Sequence, residues 1–256
     1  MWHERVYLNV PYVQKEEAKE LGARWDPEVK KWYYEGDIVN IIKFAKWLFP
    51  DDPNCEEVQI VFNTIYIVES TRKCYRCQKA TKVIGLGVGP HLQVWRDTVD
   101  GKWIYEMSDV SNMEEQQEIQ SHDNISLAWV DDERKIPPLI LKYLKENYNV
   151  GMGRSKIAGR NFANHCQHCG TIQGNNYLFA ESESPLSVFE EGEKLKKKVE
   201  KMRIYGIEIE TPIVVDWDIG YCSQDWAYLE YCNQYKEIDL IGDPDDFVSY
   251  KELYNL

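Results

Sequence analysis

Two cysteine pairs of the same spacing, Cys74-x-x-Cys77 and Cys166-x-x-Cys169, stand 88 residues apart in a chain of 256. No other feature restricts the fold as much. Two residues between cysteines let a tight turn aim both thiolates at one point about 2.3 Å from each sulfur, and two such turns complete a closed tetrahedral Zn²⁺ site. A site with no open position is structural. Compact ribbons separate their halves by roughly 15–20 residues. The longer gap therefore predicts a split zinc ribbon whose insertion, residues 78–165, is stapled at its base by one Zn²⁺.

Two other readings exist: unrelated pairs of buried thiols, or a redox pair. A redox Cys-x-x-Cys sits where a strand runs into a helix, whereas both pairs here precede β-prone runs, Thr81-Lys82-Val83-Ile84-Gly85-Leu86 and Thr171-Ile172-Gln173-Gly174. Gly170 can take the left-handed backbone a knuckle needs, while Gln78 holds the equivalent place after the first pair. His165 and His168 are expected beside the sulfurs or at the surface rather than as ligands. Cys55, Cys222 and Cys232 read as buried free thiols, and a Cys222–Cys232 disulfide is disfavoured by the reducing, cytoplasmic setting that metal-spaced cysteines suggest. The chain contains no run of 18 apolar residues and no charged-then-apolar leader, which argues against membrane insertion and secretion.

The net charge of −13 argues against phosphate backbones as partners, but its distribution reverses that. Residues 70–96 carry Arg72, Lys73, Arg76, Lys79, Lys82 and Arg96, and residues 151–180 carry Arg154, Lys156 and Arg160, neither segment with any acid. The cysteine segments are thus +9, and the remainder −22. Assembly of the metal site would concentrate one basic face. The competing reading is that these cations only stabilise the thiolates.

Residues 1–50 read as a self-contained β-α-β-α module. Arg5–Val10 alternates as a strand, Gln14–Leu21 has helical composition closed by Gly22, and Ala23–Pro27 forms a charged turn. Lys31–Tyr34 is a second strand. Asp37 caps a helix over Ile38–Leu48 with an apolar stripe of Ile41, Ile42, Ala45 and Leu48. Trp25, Trp32 and Trp47 serve first as core, and Arg24, Trp25 and Trp32 are the alternative stacking surface.

Val58–Val68 is a strand, and Lys82–Trp95 a flexible or bulged one interrupted by Gly85, Gly87 and Gly89. A polar helix follows to Gln120, then a strand at Ile125–Val130 and a helix from Pro137-Pro138 to Asn147. A glycine-containing loop enters Cys166. Beyond Pro185 come an exposed helix over Leu186–Met202 with a lysine cluster, strands at Ile204–Ile209 and Pro212–Trp217, a tyrosine-rich helix carrying Tyr228, Tyr231 and Tyr235, and a polar loop at Asp243–Asp246. The expected class is α+β, with domains at 1–50, 51–187 (the split ribbon with its α/β insertion) and 188–256 (an acidic α+β extension).

Leu8-Asn9-Val10-Pro11-Tyr12, Lys15–Lys19, Leu21-Gly22-Ala23-Arg24-Trp25-Asp26 and Lys31-Trp32-Tyr33 resemble a small bacterial domain of unknown function that recurs beside primase and topoisomerase-primase modules. The Arg-Trp-Asp-Pro run followed by Lys-Lys-Trp is also similar to the HARP domain of annealing helicases. From Lys73 to Ser187 the chain resembles uncharacterised bacterial proteins in which a split zinc ribbon follows that small domain. The resemblance implies nucleic-acid-processing company and no particular activity.

No Walker loop, dinucleotide fingerprint, nucleophile elbow or zincin motif is present. The expected function is a non-enzymatic recognition protein for nucleic acid or a nucleic-acid-processing partner, of open oligomeric state. The expected contacts are Arg72, Lys73, Arg76, Lys79, Lys82, Arg154, Lys156, Arg160, Arg24, Trp25 and Trp32. A protein-binding adaptor is the second class. A hydrolase assembled from Asp216, Asp218, Glu208 and His122 is the third.

Overall fold

The computed structural model describes residues 3–50, 57–109, 124–155 and 159–238. Cys55, His122, Lys156, the expected helix ending at Gln120 and the loop at Asp243–Asp246 lie outside the described residues. The class is α+β as expected, and the chain forms two compact units. One comprises residues 1–63, 90–119 and 209–217, the other 64–89, 120–208 and 218–256.

In the first unit, β1 (His3–Leu8), β2 (Arg24–Asp26) and β3 (Lys31–Asp37) make an antiparallel sheet in the order β1-β3-β2. Between β1 and β2 runs α1 (Lys15–Glu20), closed by Gly22 at φ 103°. The expected charged turn is in part a strand, because Arg24, Trp25 and Asp26 pair with Tyr33, Trp32 and Lys31. Asp26 then holds the β2–β3 turn through its carboxylate. Tyr7 donates to Oδ2 at 2.8 Å, and the Glu28 and Val29 N–H groups donate to Oδ1. The Tyr7 hydroxyl first, and the Val29 N–H next, hold this carboxyl below its ordinary range.

The helix after Asp37 is a 3₁₀ helix over Ile38–Trp47, capped by Asp37, whose side chain accepts from the Val39 N–H at 3.2 Å. Such runs rarely exceed four residues. Here the sequence repeats with the matching period of three: Ile38, Ile41, Phe44 and Trp47 all face inward. An α-helical stripe was the expectation, but the three-residue spacing buries larger side chains. Phe44 stacks on Tyr34 with ring centroids 4.8 Å apart, and the Trp47 indole N–H donates to Gln14 Oε1. This core continues through Val61, Leu92 and Val94. Those residues belong to the first part of β4 (Val58–Lys73) and to β6 (Leu92–Val99), which pairs with β4 and with β7 (Lys102–Asp109).

In the second unit, the rest of β4 pairs with β5 (Ala80–Val88) in unbroken antiparallel register from Ile65↔Val88 to Lys73↔Ala80. The expected single strand Lys82–Trp95 is therefore two strands, β5 and β6. The glycines of β5 bring no bulge, since its register with β4 is unbroken. They make room: a Cβ on Gly85 would lie 2.7 Å from Phe179 Cε1, and one on Gly87 2.6 Å from Ile125 Cγ2. β8 (Ser126–Trp129) continues the sheet beside β5. α2 (Pro138–Asn147) starts at the predicted prolines.

The expected loop before Cys166 is a hairpin of β9 (Val150–Ser155) and β10 (Gly159–His165), extended by β11 (Ile172–Gln173). Further on, α3 (Asn176–Phe179) forms where no helix is expected from the sequence, and α4 (Gly192–Val199) is shorter than the expected helix Leu186–Met202. β12 (Arg203–Val215) is one strand where two were expected, with Pro212 inside it. β13 (Asp218–Gly220), α5 (Ala227–Tyr231) and β14 (Tyr235–Glu237) complete the described chain. Of the three tyrosines expected on one helix, Tyr228 is buried and Tyr235 lies exposed in β14. No described helix is long and apolar enough to cross a membrane.

Phe44→Ala should cost about 3–5 kcal/mol by opening the 3₁₀–sheet core, measured by urea unfolding. Asp26→Asn should lower the melting temperature at neutral pH. Its folded pKa is depressed, so the stability it contributes is present above the unfolded carboxylate pKa and lost as pH falls through the folded value. The gap to the native chain should therefore close on acidification.

Candidate metal centre and its basic hairpin

The four sulfurs of Cys74, Cys77, Cys166 and Cys169 converge, all within 4.8 Å of one another. Cys74 and Cys169 are 3.7 Å apart and Cys77 and Cys166 3.6 Å, far beyond a disulfide bond. Metal–sulfur bonds of about 2.3 Å in a tetrahedron set sulfur–sulfur edges of about 3.8 Å. The donor set thus fits one tetrahedral metal ion. Among the described residues it is the one group of three or more cysteines, histidines or acids that could hold an ion.

Both turns are built alike. The Cys74 N–H donates to the Lys79 carbonyl and the Gln78 N–H to the Cys74 carbonyl; the Cys166 N–H donates to Thr171 and the Gly170 N–H to Cys166. All four bonds measure 2.8 or 2.9 Å. Gln78 at φ 59° and Gly170 at φ 68° hold the same left-handed position. Gln78 tolerates it with its side chain folded back, Nε2 donating to the Tyr75 carbonyl at 2.9 Å.

Donors surround the sulfurs. His168 N–H donates to Cys166 Sγ, and the buried Gln173 amide donates to Cys74 Sγ at 3.5 Å. The N–H groups of Cys77 and Arg76 hold the Cys74 thiol down at about 6. The Thr171 hydroxyl and N–H lower Cys169. The Lys79 N–H favours the Cys77 thiolate, but burial and the three neighbouring sulfurs push that thiol up to about 11. Without a cation the sulfurs compete for negative charge; an ion would let all four ionise.

His165 lies between the Gly170 and Gly151 carbonyls and His168 against the Ala80 carbonyl, so both are neighbours of the cluster and not members of it. Cys222 and Cys232 are free thiols. Asp216, Asp218 and Glu208 join no such ligand group among the described residues.

The two halves are also tied by hydrogen bonds. The buried Asn164 side chain pairs with both the N–H and the carbonyl of Ile84 at 2.8 Å, acting as a piece of strand beside β5. Thr81 Oγ1 accepts from the Gln167 N–H at 3.1 Å. The Arg76 guanidinium reaches Thr171 Oγ1 across the two turns. Sequence reasoning missed Asn164 and Thr81, whose burial is the only signal of their role and is not readable from one chain.

The expected basic contacts divide. Lys82 pairs with buried Glu69 at 3.2 Å, and Arg72 donates to the Tyr177 carbonyl. Arg96, counted in the charge of the first basic segment but not among the expected contacts, belongs to the other unit, its guanidinium over the rings of Phe49 and Trp103. Lys73 and Lys79 are exposed and have no carboxylate partner among the described residues. Arg154 and Arg160 lie directly opposite each other across β9 and β10. Both are exposed, with no partner among the described residues. Directly opposed residues share a face with Cβ atoms about 4.5–5.5 Å apart, and like charges there repel. In the N-terminal module Trp32 is buried, whereas Trp25 is 48% exposed, packed edge-on against Trp32 beside exposed Arg24.

Residues 5–48 match a family described as a domain of unknown function, DUF5710. Two Escherichia coli proteins named DNA primase TraC are each 52% identical to this chain over 44 residues. The matched segment is 17% of this chain but only 3% and 4% of those proteins. The similarity supports the expected domain of unknown function beside a primase, and the family match ends before Cys74. No solved structure matches the chain.

Elemental analysis should find one metal ion per chain, and Cys166→Ser should lose it with a lowered melting temperature. Gly153→Ala places a Cβ 2.9 Å from both His165 Cε1 and Ile172 Cδ1, so it should weaken metal retention without touching a ligand.

Proposed function

We propose that this protein recognises nucleic acid through the basic side chains around a structural Zn²⁺ centre, without catalysing a reaction. Four thiolates in tetrahedral array suit a soft, closed site, and zinc is the ion of that geometry whose role is purely structural. Such sites contribute roughly 10–16 kcal/mol at neutral pH, comparable to the stability of a whole domain. The ion would fix the ribbon halves, residues 51–187 with insertion 78–165, as one element.

The observation that carries the reading is the opposed pair Arg154 and Arg160. Two exposed cations in cross-strand register repel, and no carboxylate among the described residues relieves them. A phosphate between them would. Lys73, Lys79 and Arg76 extend the positive surface at the first cysteine turn. The primase company of the N-terminal segment supports the same class of partner, and Trp25 with Arg24 offers a base-stacking surface there.

Binding of labelled single-stranded DNA, followed by fluorescence anisotropy, should weaken with salt at a slope of about −3.5 for the five cations Lys73, Arg76, Lys79, Arg154 and Arg160. Arg154→Gln/Arg160→Gln should reduce that slope by about 1.4. Absence of binding at low salt, or an unchanged slope in the variant, would overturn this reading in favour of a protein-binding adaptor with scaffold zinc.

A further inference from the structure

The second unit contains a cleft that shares no residue with the cysteine centre. It is lined by residues of β8, α3, the segment Ser187–Phe189, β13, the turn Tyr221–Asp225 and α5, and holds about 160 Å³. An apolar cavity of about 150 Å³ accepts a benzene ring. Trp129 and Phe179 form its wall, with ring centroids 5.7 Å apart, while Phe189 and Tyr221 are 47% and 43% exposed.

Its charged groups have one sign. Asp218 is exposed and Asp225 is buried; no lysine, arginine or histidine lines the cleft. Asp225 Oδ2 accepts from the Ser126 hydroxyl at 2.8 Å and the Cys222 N–H at 3.1 Å, which ties the turn to the start of β8. Among the described residues no hydrogen bond reaches Oδ1 and no cation pairs with the carboxyl. Burial without a counter-charge raises its pKa to about 7. The other polar groups do not compete for this role. Cys222, its thiol donating to Gln224 Oε1, is kept protonated by burial. Ser187 Oγ donates to nearby carbonyls and Tyr228 to the Leu186 carbonyl.

We propose that this cleft binds a small organic cation, an amidinium or ammonium on an apolar body of one ring, with the charged end on Asp225 Oδ1 and the body against Trp129 and Phe179. Aromatic faces and a carboxylate both favour positive charge. The absence of basic lining disfavours a phosphate-bearing ligand, so this site is separate in chemistry from the nucleic-acid surface and does not depend on that reading.

Benzamidine, benzamide and benzoate have nearly the same shape and carry positive, zero and negative charge. Titrated calorimetrically into the full chain, benzamidine should bind at least tenfold more tightly than benzamide, and benzoate should not bind. Asp225→Asn keeps one acceptor oxygen, enough for both the Ser126 hydroxyl and the Cys222 N–H that now share Oδ2, and should remove the benzamidine preference. Phe189→Ala, a change at an exposed position, should weaken benzamidine severalfold in a chain that stays folded. Equal affinity for benzamidine and benzamide, no binding of benzamidine at millimolar concentration, or full retention of the preference in folded Asp225→Asn would each overturn the proposal.

Discussion

Convergence of four sulfurs from positions 88 residues apart is the constraint on which the second unit turns. Everything between the two cysteine turns must leave and return to the same few ångströms. That requirement fixes where β5 starts and where β10 ends, because both strands abut the turns. The matching backbone bonds of the two turns mean that one solution was reached twice, with glycine in one copy and a strained glutamine in the other.

The cysteine geometry was legible in the sequence because it is chemical: spacing and ligand type suffice. The strands after each pair and the proline-initiated α2 were legible for a similar local reason. What sequence reasoning misread depended on partners. The glycines of β5 look like breakers until Phe179 and Ile125 are seen pressing on them. The hairpin β9–β10 reads as a loop because Gly151, Gly153 and Gly159 dominate its composition, yet Gly153 is small to admit His165 and Ile172. Pro212 breaks a strand in isolation, but within β12 it does not.

The N-terminal unit shows the same limit at the level of period. Ile38, Ile41, Phe44 and Trp47 recur every third residue, while Ile41, Ile42, Ala45 and Leu48 recur on an α-helical face. Both patterns are present in one segment. Larger buried rings decide in favour of the tighter helix, with Tyr34 stacked on Phe44. The matched family segment, residues 5–48, ends at this helix, yet its core runs on into Val61, Leu92 and Val94. Recognition of the segment therefore says less about how the unit is completed than its identity of 52% to the primase segments suggests.

Asn164 gives the ribbon a property that its ligands alone would not. By satisfying both backbone groups of Ile84, it registers the second half against the first through the polypeptide itself. Asn164 and Ile84 stand 80 residues apart, so their pairing closes nearly the same long loop that the sulfurs close, through polar contacts made by the chain alone.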